Sequence, residues 1–315
     1  MKTSKRQAQP ARTDRPLPLL TICVPVFNGE RYLAQCLDSL LSQTFREFVL
    51  VISDNASTDH TASLCRHYVQ ADSRVRYRRN ETNIGMYPNI SLLLRSAQTP
   101  YVKLATADDF WAPTMLEDAL KHLETDPSLV LCFPKMVQVD GAGREIGRYE
   151  RPLNLLDADP IKRFKSVLTD LGLVYQLMGV MRTSVALATL PFMNQPGADG
   201  VYLAELTLYG RLLELPHYQY FRRFHEESSS WDRSSESHQI QRVLGVGTGR
   251  IRLAGWKYHL GLIQRLLHSP LPVGPKLELL GFLGRRIVWD RAALCRELWQ
   301  AVWRARSASS STGSI

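Results

Sequence analysis

The sequence has no CxxC pair, no phosphate-binding glycine loop and no long apolar run, and each absence removes a class of protein. Its five cysteines, Cys23, Cys36, Cys65, Cys132 and Cys295, are dispersed and odd in number. That pattern excludes a disulfide frame or a cysteine zinc site and reads as reduced core thiols. No GxxxxGKS/T occurs, and the one dense glycine stretch, GVGTG at 245–249, has the wrong spacing and no strand before it. P-loop and dinucleotide readings fall away with it. Nothing approaches the ~18 apolar residues of a membrane span. The opening MKTSKRQAQPARTDRPLP lacks the apolar stretch of a secretory signal, so a cytoplasmic location is expected. The sequons at Asn55, Asn80 and Asn89 then carry little weight.

What is present is an ordinary globular composition, 44% hydrophobic and 22% charged over 315 residues, with a net charge of +9. The basicity is unevenly placed. Residues 1–16 hold five Lys/Arg and one Asp, and residues 235–315 hold twelve Lys/Arg and four acids, so the body between is mildly acidic. This argues against a nucleic-acid groove across the main domain and for ends that meet an anionic surface.

Along the body, near-continuous apolar runs alternate with amphipathic stretches. LLTICVPVF from Leu19 and FVLVIS at 48–53 read as parallel strands buried on both faces, as does YVKLA at 101–105. RYLAQCLDSLL carries Leu33, Cys36, Leu37, Leu40 and Leu41 at helical spacing, and Ser57 or Thr58 is a candidate cap for the helix after the second strand. The order continues with VRYRR (75–79), a helix at 89–97, a helix after Pro113, and a strand LVLCF with a hairpin turn at Asp140-Gly141. Short helices are expected over 154–172, then a strand LVYQLMGVMR, a helix VYLAELTLYG ended by Gly210, and a strand through LLELPHYQYFRRFH. The pattern predicts an open, mostly parallel α/β sheet flanked by helices. Ligands of such sheets bind outside the carboxyl ends of the strands. Val26 to Asn28, Asp54-Asn55 and Asp108-Asp109 therefore share one rim, although any one of them could serve only as a helix cap.

These residues carry a resemblance. TICVPVFNGERYLAQCLDSLLSQTFREFVLVISDNASTDHT resembles the opening of a family-2 glycosyltransferase of the GT-A (Rossmann-like) fold, with its P-x-Y/F-N, S-x-x-x-Q-S/T and D-G/N-S/A-S-x-D stretches. NETNIG at 80–85 and ATADD at 105–109 stand where that family keeps an N-x-G and a metal-binding D-x-D, and the likeness runs over about residues 19–230.

The resemblance implies an inverting, metal-dependent enzyme using a nucleotide-sugar donor, UDP-linked by that analogy, and a hydroxyl of a surface glycan or lipid-linked acceptor. It implies that Asp54 accepts from a uracil base, that Pro25, Val26 and Asn28 line the nucleoside pocket, and that Asn83 belongs to the same site. Asp108 would be the principal ligand of Mg²⁺ or Mn²⁺, with Asp109 beside it. Asp199 would be the catalytic base, and Arg223 and His225 would face the diphosphate or metal. Two positions depart from the family: Thr106 replaces the first Asp of D-x-D, leaving a hydroxyl for the ribose but no charge for the metal, and Ala198 stands where Glu often precedes the base. These departures keep open a lapsed nucleotide-binding or scaffolding protein. A nucleotidyltransferase is disfavoured because VPVFNGERYL lacks the glycine-, Arg- and Lys-rich loop that chemistry uses.

The expected layout is a basic tail at 1–16, a glycosyltransferase domain at 17–234 divided near 112/113 into nucleotide-binding and acceptor halves, a basic helical extension at 235–306, and a tail at 307–315. In the extension, Leu280, Leu283, Ile287, Leu294, Leu298 and Val302 make one helical stripe, with Arg285, Trp289, Arg296, Trp299 and Trp303 on a neighbouring face. Arg and Trp at that spacing suit the headgroups of an anionic membrane, on whose inner face the protein would be peripheral. The alternative is a helix packed on the domain with its Trp residues buried.

Overall fold

In the computed structural model the described residues are 18–226, apart from 152 and 196, and 253–310, the last seven as backbone alone. The expected basic tail at 1–16, the polar linker from Ser228 onward and residues 311–315 lie outside them, whereas residues 307–310 of the expected end tail are helical. The first half alternates as its apolar runs require: β1 (Leu20–Val26), α1 (Leu33–Leu41), β2 (Phe48–Asp54), α2 (Thr61–Ala71), β3 (Val75–Arg79), α3 (Met86–Ser96) and β4 (Tyr101–Leu104). β1 lies between β2 and β4, parallel to both, and Leu20, Ile22, Cys23 and Val24 are fully buried. A strand covered on both faces has no place for polar alternation, which explains its near-continuous apolar text.

Beyond β4 the sheet becomes mixed. β5 (Phe110–Trp111), α4 (Met115–Thr125), β6 (Leu129–Val139), β7 (Glu145–Tyr149), α5 (Pro160–Asp170), β8 (Val180–Arg182), α6 (Thr183–Ala188), α7 (Ala198–Tyr209) and β9 (Arg211–Arg223) follow in order. The nine strands run β3-β2-β1-β4-β8-β6-β9-β5, with β7 on β6. β8 is antiparallel to both β4 and β6, while β6 and β9 are parallel. Two helices close the described chain, α8 (Ala254–His268) and α9 (Val273–Ser310).

Three local expectations need correction. LVYQLMGVMR is a 3-10 turn at Gln176–Met178 followed by the three-residue β8. The break falls at Gly179, where a Cβ would stand 2.1 Å from the Cys132 carbonyl oxygen, so only glycine permits that approach. Residues 154–172 contain one helix, α5, whose start is fixed by Asp159 accepting the Ile161 N–H at 2.8 Å. Ser57 and Thr58 do not cap α2, which begins at Thr61; their groups bond the loop after β1 instead.

One motif owes its residues to packing. Gln43, fully buried, accepts the Leu116 N–H at 3.1 Å and donates to the carbonyls of Ser39 at 3.0 Å and Ala112 at 2.7 Å. It ties the end of α1 to the start of α4.

Candidate active site

Register puts Val26 level with Asp54, so the loops after β1 and β2 leave the sheet side by side. They are laced together. The Asn28 N–H donates to Ser57 Oγ at 2.9 Å, and Asn28 Oδ1 accepts the Thr58 N–H at 2.8 Å. Asn28 has φ of 51°, a left-handed conformation that Asn tolerates better than most residues. The Val26 carbonyl accepts the Asn55 N–H, and Val26 is buried with Pro25 half-buried beside it. Much of the backbone expected to line a nucleoside pocket is therefore already bonded. What the rim offers is the Phe27 ring, 46% exposed just after β1.

Asp54 stands at the expected strand end but is fully buried. Its Oδ1 accepts the Ser57 N–H at 2.8 Å, and its Oδ2 accepts Tyr77 Oη at 2.8 Å and Arg79 Nη1 at 2.7 Å. Arg79 is largely exposed and lies over it, so any base contact at Asp54 requires that guanidinium to move aside. Asn83 is a loop lock: its Oδ1 accepts Asn55 Nδ2 at 2.8 Å and the Gly85 N–H at 2.9 Å. Asn55 and Asn89 are buried in the same network, with Asn80 Nδ2 donating to both at 3.0 Å. Two of the three sequons are thus closed to any glycan.

The paired carboxylates after β4 have opposite environments. Asp108 is 35% exposed, and its Oδ2 lies 3.2 Å from His225 Nε2. Asp109 is buried and turned inward. Its Oδ1 accepts the Arg223 N–H at 2.8 Å, and its Oδ2 accepts Tyr220 Oη at 2.5 Å and the Thr106 hydroxyl in a short bond. Burial, with the charge of Asp108, pushes Asp109 up to about 7 against those donors. Both Asp109 oxygens are engaged by the fold, clamping the start of β5 to β9. The Thr106 hydroxyl, expected to meet a ribose, is bonded here to Asp109.

Arg223 is likewise bound into the fold. It is buried, and its guanidinium donates to the carbonyls of Asp108 at 2.9 Å, Asp140 at 3.2 Å and Gly141 at 3.0 Å, and to Gln35 Oε1 at 2.5 Å. Four of its five N–H groups are thus taken by the fold. Its neighbour Arg222 points the other way, as successive strand residues must. Arg222 bonds the Val174 carbonyl at 3.2 Å, and its charge acts on Asp199. The alternation of β9 was the available signal for separating the two arginines.

Asp199 lies in the first turn of α7, after the left-handed Gly197. Burial raises its carboxyl above the ordinary Asp range, opposed by the Gly200 N–H and by Arg222. Tyr87 and Tyr258 are close enough to feel its charge, and the Tyr258 ring packs against Gly197. Tyr258 comes from α8, beyond the domain boundary expected near 234, so the helical extension reaches this site.

Among the described residues, no three His, Cys, Asp or Glu side chains gather as a metal site. Two donors do face each other, Asp108 and His225, and His225 Nδ1 is buried without a partner. A hard cation such as Mg²⁺ takes few protein carboxylates and completes its sphere with phosphate oxygens and water. The pair fits such an ion, with a phosphate-bearing ligand supplying the remaining donors.

A parallel half-sheet with Asp108 on the loop after β4, joined to a mixed half that brings His225 to it and carries a half-buried carboxylate at a helix start, defines a GT-A-type glycosyltransferase architecture. The chain belongs to glycosyl transferase family 2, whose family model matches residues 21–183. It is 25% identical over 135 residues to an uncharacterized glycosyltransferase of Methanocaldococcus jannaschii, covering 42% of this chain and 47% of that one. It is 27% identical over 150 residues to a chondroitin synthase of Escherichia coli, covering 47% of this chain and 22% of that one. In both cases the match spans less than half of the relative's length. Among solved structures, S. aureus TarS with UDP superposes at a TM-score of 0.60 with 20% identity, over 87% of this chain and 73% of that one. A mannosyltransferase of Pyrobaculum calidifontis with GDP-Man and Mn²⁺ superposes at 0.50 with 16% identity, over 94% and 88%. At these identities the superpositions establish the shared fold.

Proposed function

We propose that this chain is an inverting glycosyltransferase that moves a sugar from a UDP-linked donor to a hydroxyl of a glycan or lipid-linked acceptor in surface polysaccharide synthesis. The observation that carries the reading is the division of labour between two carboxylates: Asp108, exposed at the β4 end beside His225, and Asp199, half-enclosed in the first turn of α7. TarS complexes with UDP and UDP-GlcNAc support the donor class, and the chondroitin synthase relative supports a glycan acceptor.

In this reading Phe27 offers its ring to the nucleobase at the rim. Asp108 and His225 hold the divalent cation, which when bound neutralises charge on the departing diphosphate. The acceptor hydroxyl oxygen bonds to the anomeric carbon while the bond from that carbon to the diphosphate oxygen breaks. The nucleoside diphosphate leaves with the electron pair, and Asp199 takes the hydroxyl proton. Attack opposite the leaving group inverts the carbon. A carboxyl raised by burial is a better base near neutral pH than an ordinary aspartate, because proton transfer to it is less uphill.

The test is calorimetric titration of UDP, GDP and dTDP, with and without Mn²⁺, into the chain and its Asp108→Ala variant. Metal-dependent binding of UDP that is lost in the variant supports the reading. Tight GDP binding instead would overturn the UDP assignment. Binding of none would favour the lapsed scaffold, for which the sealed Asp54 and the uncharged Thr106 already speak.

A further inference from the structure

The outward face of α9 is built from residues that soluble surfaces avoid. Trp289, Trp299 and Trp303 are 79%, 67% and 58% exposed, and Val288, Leu277 and Val302 are exposed with them. The alternative with these tryptophans buried on the domain is overturned: Leu279, Leu283 and Leu294 make the buried stripe instead. Arg285, Trp289, Ala292, Arg296, Trp299 and Trp303 follow one another at spacings of four and three, which a 3.6-residue helix places on one side. All six are exposed, and the Trp299 and Trp303 rings stack at 6.2 Å.

Charge is sorted across the same helix. Its three carboxylates are all engaged toward the rest of the protein: Glu278 with Lys165 Nζ at 2.6 Å, Asp290 with His259 Nε2 at 3.0 Å, and Glu297 with the Gly255 N–H at 3.0 Å. The outward side between Gly281 and Trp303 therefore holds arginine and no carboxylate. A face of exposed indoles and guanidiniums, emptied of negative charge, matches the headgroup layer of an anionic bilayer. Trp sits at that depth with its ring in the acyl boundary and its N–H in water, and Arg pairs with lipid phosphates. No helix among the described residues is long and apolar enough to cross a membrane, so α9 would lie along the surface.

We infer that the Arg285–Trp303 face of α9 docks the protein on an anionic membrane surface. This does not depend on the active-site reading. The face is carried on α8, which packs on α7 and brings Tyr258 to Gly197 beside Asp199. Docking would hold the acceptor half of the site close to the lipid.

The experiment is sedimentation of the full chain with vesicles of equal parts phosphatidylglycerol and phosphatidylcholine, against pure phosphatidylcholine, without nucleotide. Two variants accompany it: Trp289→Ser with Trp299→Ser and Trp303→Ser, and Arg285→Glu with Arg296→Glu. Every altered side chain is exposed, so both variants should melt as the parent does. The parent should partition onto the anionic vesicles, more weakly at high salt, and each variant should lose about tenfold or more in partitioning. Equal partitioning onto neutral vesicles, or retention by both variants, would overturn the inference. A parent that ignores vesicles but forms a dimer dissolved by the tryptophan substitutions would assign the face to a second copy and overturn it as well.

Discussion

Asp109 Oδ1 accepts the backbone N–H of Arg223 at 2.8 Å, joining positions 114 residues apart where β5 begins and β9, its partner strand, ends. The same aspartate takes Tyr220 Oη, while the Arg223 guanidinium crosses to the Asp108 carbonyl and to Gln35. The two residues form a buried knot under the rim, and its consequence is that neighbouring residues are free to do chemistry from a fixed position.

Arg223→Ala should therefore act on stability. It leaves the carbonyls of Asp108, Asp140 and Gly141 without their donor in a buried place, a loss of about 3 kcal/mol or more. Denaturant unfolding should show that loss. A variant of parental stability with only a raised KM for the donor would restore Arg223 as a diphosphate ligand.

His225 should act on the metal. Its Nε2 faces Asp108 and its ring packs at 4.7 Å on Tyr32, which fixes its aim. His225→Ala is expected to weaken Mn²⁺-dependent nucleotide binding by about tenfold or more while leaving metal-free binding unchanged. Equal losses with and without Mn²⁺ would count against ligation.

Asp199→Asn keeps the shape and removes the base. Transfer should fall by about 10²-fold or more with donor binding nearly intact. Because burial raises this carboxyl, the acid limb of the pH–rate profile should lie above the ordinary aspartate value of about 3.9, activity being lost as pH falls and the base protonates. The limb should vanish in Asp199→Asn, and its survival there would assign it to another group.

Much of this was legible in the sequence. Buried parallel strands announce themselves as β-branched runs, so β1, β2 and β4 and their shared rim could be placed, as could Asp108. What could not be read was the assignment of roles within adjacent pairs. Asp108 and Asp109 are chemically identical, and only Tyr220 and the Arg223 N–H, arriving from another strand, decide which is buried. Asn83 and Asn28 looked like ligand-binding polar groups because a turn that needs side-chain oxygens uses the same residue types. Phe27 was missed for the opposite reason, as an aromatic in an apolar run reads as core.

The docking of α8 on α7 provides a pH test away from the site. Glu205, buried on α7, lies 3.2 Å from Arg265 Nη1 of α8, and burial still pushes its carboxyl up to about 7, from an ordinary 4.5. An acid raised on folding binds its proton more tightly in the native state, so its contribution is fully present below pH 4.5 and is lost as pH rises through about 7. Charging Glu205 in this interface thus costs stability across that window even with Arg265 present. Glu205→Gln, which stays neutral, should remove this part of the pH dependence, gaining on the parent in thermal unfolding at pH 8 and not at pH 4. A variant that loses stability equally at both would mean that the Arg265 pair, and not the desolvation of the carboxylate, governs how the two helices hold together.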